Sequence, residues 1–146
     1  LRVRIGHPEL SEEKKILDRP QAMHPAEILH PVLSAQDVLD LQQTVEQVRL
    51  DESLLDYLLA IVTATRQSEW LTLGVSTRGA MALCKAAKGL AMVRGRQYCV
   101  PDDIKELAPI VLSHRVMVSG NQGGSQGFEE AERVIHDILE TVPVPV

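Results

Sequence analysis

The chain has 146 residues, 45% of them apolar but only 3% aromatic, and its net charge is −5. A core of Leu, Val, Ile and Ala in a chain rich in helix formers implies one all-α domain, a small helical bundle. The acidic balance excludes a general nucleic-acid binder, whose phosphate contacts need a basic surface. No apolar run approaches the ~20 residues of a membrane span.

The opening Leu1-Arg2-Val3-Arg4-Ile5-Gly6 alternates apolar and basic residues with a period of two. That pattern predicts a strand, and a lone strand needs neighbours. The expectation is a piece cut in the last strand of a preceding domain. Ser11 is a candidate cap for a short helix reaching about Arg19, with Glu12 and Glu13 in its first turn. Pro20 to Pro31 reads as a loop. Ser34 and Asp37 form a capping-box pattern for a second helix, whose stripe of Val38, Leu41, Val45 and Val48 is expected to face the core. Asp51 opens a third helix with Leu54, Leu58, Ile61, Val62 and Thr65 inward. A turn over Ser68 to Leu73 leads to a fourth helix capped by Ser76 or Thr77. Its expected buried face is Met81, Cys84, Ala87, Leu90 and Ala91, and Gly95 ends it. After the extended link Tyr98-Cys99-Val100, Pro101 takes the first position of a fifth helix. Asp102 and Asp103 follow it, and Ile104, Leu107, Ala108, Val111 and Leu112 form the stripe. Gly120 to Gly127 reads as a flexible run. A last helix over about Phe128 to Glu140 carries Phe128, Ala131, Ile135, Ile138 and Leu139 on one side, ahead of an extended Val-Pro tail.

Catalytic patterns are missing. No G-x-x-x-x-G-K-[ST] loop occurs, so the chain has no complete phosphate-binding loop of that type. His24 and His30 are spaced wrongly to share a helix face and have no third ligand nearby, so ordinary loop histidines are expected and no metal site. Cys84 and Cys99 read as reduced core cysteines. His114 and Arg115 suit the C-terminal dipole of the fifth helix. Arg78 is the exception, because it puts a cation in the first turn of a helix, where the dipole disfavours positive charge. Gly74 and Gly79 allow close backbone approach on either side, and guanidinium and first-turn amides together would face one anion.

The run ATRQSEWLTLGVSTRGAMALCKAAKGLAMVRGRQYCVPDDIKELAPIVLSHRV resembles the C-terminal lid of the MoxR family of AAA+ ATPases. The matching motifs are Thr65-Arg66, then Gly74 to Arg78, then Gly95 to Ile104, and Val111 to Arg115. Ile5-Gly6-His7-Pro8 is similar to the segment that joins the family's ATPase core to its lid. Thr77 stands where the family has Pro, and His7 where it has Tyr.

The resemblance implies a division into residues 1–8 as core end and hinge, 9–118 as helical lid, 119–127 as flexible loop and 128–146 as C-terminal helix and tail. It implies that Arg78 is the second sensor arginine, reaching the γ-phosphate of ATP, with His7 and Pro8 beside the nucleotide. ATP and Mg would be held in the intact protein by a core ahead of Leu1, so the piece alone is expected to be no enzyme and to hold no cofactor. Its partners would be its own core, neighbouring subunits of a homo-oligomeric, hexameric ring and a client protein of unstated identity, with no nucleic acid, in the cytoplasm. Two other readings are a stand-alone helical interaction module that never meets nucleotide, and a helical DNA-binding domain, which the acidity disfavours.

Overall fold

A computed structural model describes residues 1–3, 5–18, 29–120 and 125–145. Its elements run α1 (Leu10–Leu17), α2 (Ala35–Gln47), α3 (Glu52–Gln67), β1 (Leu71–Leu73), α4 (Thr77–Val93), α5 (Pro101–Leu112), β2 (Met117–Val118) and α6 (Ser125–Thr141). A single 3-10 turn, Ser113–Arg115, follows α5. The protein is an all-α bundle with one two-stranded ribbon, in which β1 and β2 pair antiparallel, Leu71 opposite Val118 and Leu73 opposite Met117. Among the described residues no helix is long and apolar enough to cross a membrane.

Helices α3, α4, α5 and α6 enclose the core. Helix α4 packs along α5, α5 also meets α6, and α3 lies against both α4 and α6. Leu58, Ile61, Leu83, Ile104, Leu112 and Ile135 are fully buried between them. Each such side chain contributes about 1.5–3 kcal/mol by leaving water. The inward stripes expected for α3, α5 and α6 are buried, except that Phe128 on α6 is half-buried, and Tyr57 is added on α3.

Several expectations are corrected. Leu1–Val3 and Ile5 form no strand; the segment has no described strand beside it, and Arg2 N–H donates to the Ile110 carbonyl at 3.1 Å. Helix α1 starts at Leu10 after a Glu9 cap, so Ser11 is already helical, and all of α1 is exposed. The capping box of Ser34 and Asp37 forms as expected, but Val38 and Leu41 stay 42% and 41% exposed. Helix α2 meets α4 near its C-terminal end, where Lys88 Nζ donates to the Glu46 carbonyl at 3.3 Å and Val48 is buried. Its N-terminal half therefore has no described layer above it.

A further correction concerns the phase of α4. Its buried residues are Gly79, Ala80, Leu83, Ala87 and Ala91, whereas Met81 is exposed and Cys84 and Leu90 are half-buried. A face of glycine and alanine lets α5 approach closely, so the small residues turn inward and the bulky Met81 turns out. The segment expected as a turn at Ser68 to Leu73 ends in β1, too short for alternation to reveal. Helix α6 begins at Ser125, inside the run expected to be flexible, while 121–124, like 19–28 with Arg19 and His24, lie outside the described residues.

Candidate functional site

The start of α4 is built from three sides. Ser76, extended at ψ 163°, is the N-cap, and its hydroxyl accepts from Gly79 N–H at 3.3 Å. Thr77 is then the first helical residue and Arg78 the second, and no acidic residue stands in that turn. Ser76, Thr77 and Arg78 are exposed, while Val75 and Gly79 on either side are buried.

Beneath this turn lies the end of α3. Thr65 is fully buried; its hydroxyl donates to the Val62 carbonyl at 2.6 Å and accepts from Val75 N–H at 3.0 Å. Arg66 Nε donates to the Val75 carbonyl at 2.8 Å. The two chains run so close that a Cβ on Gly74 would stand 2.6 Å from Arg66 Cα and 2.8 Å from the Thr65 carbonyl carbon. Only glycine fits there. On the other flank, Arg115 Nε donates to the Val111 carbonyl at 3.1 Å, and Arg115 Cδ lies 3.5 Å from where a Gly79 Cβ would sit.

The Arg66 and Arg115 side chains thus flank residues 75–79, the turn that carries Arg78. Arg66, Arg78 and Arg115 have no carboxylate partner among the described residues, whereas Arg49, Arg94 and Arg96 are all ion-paired. In a chain of net charge −5, an unpaired guanidinium at the positive end of a helix favours an anion. His7 and Pro8 are exposed in the segment before α1, and His7 forms no hydrogen bond or ion pair among the described residues. The structure brings neither to Arg78 by any such bond. Among the described residues no group of three metal-binding side chains occurs.

A second polar cluster escaped the sequence reading. Asp103, with no exposed surface, accepts from Arg96 at 2.6 and 2.8 Å, from Arg94 at 3.2 Å and from Val100 N–H at 2.9 Å, and Arg94 also pairs with Glu106 at 2.6 Å. Burial alone would push the Asp103 carboxyl up, but the two guanidinium groups and the Val100 amide hold it below its ordinary value. The signal was an aspartate three residues after Val100, the reach-back position of a helix start. Cys99, pushed up to about 11 chiefly by burial, is an unreactive core thiol. A groove of about 500 Å³ opens nearby, lined among others by Val48, Arg49, Met92 and Tyr98. None of its lining residues belongs to the α4 start.

Residues 63–138 match the AAA lid domain family, and the chain belongs to it. Two of its relatives carry the MoxR name. It is 32% identical to Chaperone MoxR1 of Mycobacterium tuberculosis over 99% of this chain and 40% of that protein. It is 35% identical to Protein MoxR of Methylorubrum extorquens over 49% of this chain. A Bacillus subtilis protein, YeaC, described as uncharacterized, is 41% identical over 99% of this chain and 45% of its own length. The fold matches a crystal structure of an ATPase candidate from Cytophaga hutchinsonii at a TM-score of 0.77, with 27% identity over 97% of this chain and 45% of that one. The chain thus spans less than half the length of each of these relatives.

Proposed function

We propose that this chain is the nucleotide-sensing lid of a MoxR-type AAA+ ATPase, and that Arg78 is its sensor arginine. The observation that carries the reading is Arg78 itself: exposed, unpaired among the described residues, and set in the first turn of α4 beside the helix amides. A guanidinium on the γ-phosphate has a partner in the ATP state and loses it after hydrolysis. That differential contact is what allows a nucleotide to shift a lid between positions. It also stabilises charge on the transferring phosphoryl group.

ATP and Mg belong to the core of the whole protein, since this chain has no phosphate-binding loop of the G-x-x-x-x-G-K-[ST] type; the lid alone is not expected to hydrolyse ATP. His7 and Pro8 are assigned to the nucleotide's base side on the resemblance alone. The partners in this reading are the protein's own core, neighbouring subunits of a cytoplasmic ring and a client protein acted on in a chaperone-like way. The test compares ATP turnover of the full-length protein with its Arg78→Ala variant. A fall of ~10-fold or more, equal to ~1.4 kcal/mol of transition-state stabilisation, is expected. Unchanged turnover in a folded variant returns Arg78 to an ordinary surface arginine.

A further inference from the structure

We infer that Thr65 and Arg66 form a two-point backbone clamp on Val75 that fixes the direction in which Arg78 is presented. The inference rests on the sensor reading of Arg78 and adds to it the residues that aim the sensor.

Val75 is held by both of its peptide groups. Its N–H donates to the Thr65 hydroxyl at 3.0 Å, and its carbonyl accepts from Arg66 Nε at 2.8 Å. Neither bond is casual. The Thr65 hydroxyl has its single proton committed to the Val62 carbonyl at 2.6 Å, which leaves a lone pair as the only means of engaging Val75. Thr65 and Val75 are both buried, so Val75 N–H has no water to turn to. Arg66 has no carboxylate partner among the described residues to draw its guanidinium elsewhere. Gly74 closes the contact, because its backbone lies against that of Arg66 where any side chain would collide.

Val75 immediately precedes the Ser76 cap, and Arg78 follows three residues later. Fixing the peptides on both sides of Val75 fixes the entry angle of α4 and, through it, where the Arg78 side chain starts. Arg66 is therefore a positioning residue, acting through Arg78 and not on the nucleotide. Misplacing a catalytic group by about 1 Å can cost about 100-fold in rate, so a clamp of this kind is felt in turnover.

The side-chain chemistry supplies a clean test in the full-length protein, with ATP as the probe. Glutamine places its amide nitrogen where arginine has Nε, so Arg66→Gln keeps the donor and loses the charge. Arg66→Met keeps the shape and loses both. The clamp predicts that Arg66→Met lowers kcat by about 10-fold or more with KM for ATP nearly unchanged, and that Arg66→Gln restores kcat to within about 3-fold of wild type. In an Arg78→Ala background, Arg66→Met should add no further loss, because both changes remove the same interaction.

Equal losses in Arg66→Gln and Arg66→Met would overturn the clamp and make the charge itself the functional element. Losses that multiply with Arg78→Ala would also overturn it. Wild-type kcat in Arg66→Met, beside an impaired Arg78→Ala, overturns the clamp and leaves the sensor standing. Wild-type kcat in Arg78→Ala overturns the sensor, and the clamp with it. Should Arg66→Met fail to fold, Thr65→Ser against Thr65→Ala carries the same comparison, with serine expected to keep the turnover that alanine loses.

Discussion

Replacing Asp103 with alanine removes a buried side chain that holds two arginines and a backbone amide, and its cost can be worked out bond by bond. The carboxylate has no exposed surface, but Arg94 and Arg96 keep 40% and 22% of their side chains in solvent. The guanidinium groups can therefore rehydrate, and the 3–5 kcal/mol usual for stranding a buried charge does not apply in full. Losing the bond to Val100 N–H costs about 1 kcal/mol, as for other helix caps. The arginine bonds are charge-assisted, at about 1.5–3 kcal/mol each. Their partial exposure and the relieved burial of the carboxylate take back much of that. The net expectation is about 2–3 kcal/mol, or about 5–10 °C in Tm for a chain of this size.

The sign of the pH dependence adds a second check. Asp103 sits below its ordinary value in the folded state, so its stabilisation is complete above the unfolded carboxylate value of about 3.9. It is lost as pH falls through the folded value. Thermal unfolding of wild type and Asp103→Ala from pH 7 down to pH 2 should show a gap that is widest near neutrality and closes in acid. Equal Tm values at pH 7, or a gap undiminished at pH 2, would refute the reasoning.

The glycine at 74 should be nearly irreplaceable: Gly74→Ala forces atoms apart from 2.6 Å and is expected to cost about 2–3 kcal/mol in denaturant unfolding, with a cost under about 0.5 kcal/mol showing that the segment has room. Leu41→Ser on the open face of α2 should change stability by less than about 0.5 kcal/mol, while Leu83→Ala in the core should cost about 2–5 kcal/mol. Similar costs for the two would mean that α2 is covered after all.

Helices whose large residues alone face the core were legible in the sequence, as α3, α5 and α6 show. Periodicity failed where burial was decided by a neighbour. On α4 the inward face sets Gly79, Ala80, Ala87 and Ala91 beside Leu83, and hydrophobicity ranks Met81 above those four small residues. On α2 a regular stripe exists with nothing described to cover its first half. The candidate site was half legible. The misfit of a cation with a helix start pointed to Arg78, but nothing in the spacing of Thr65 and Arg66 told that their side chains reach Val75, nine or ten residues on. The Asp103 cluster was hidden for the same reason. An aspartate in a first helical turn is explained by the dipole, and its arginines arrive from another helix end.

The connections between helices are themselves stitched together. Arg49, between α2 and α3, exchanges backbone bonds with the link before α5: its N–H donates to Gln97 and its carbonyl accepts from Cys99, both at 2.9 Å. The ribbon of β1 and β2 does the same at the far corner, joining the link after α3 to the link after α5. Helices strung on slack loops yield to a pull by sliding over one another. With its corners laced, this bundle resists that sliding, so on the proposed reading of Arg78 a pull at the start of α4 is expected to move the four core helices as one body. On that reading, a contact the size of one guanidinium would be felt at the other end of α4, where Tyr98 and the groove beside α2 face solvent.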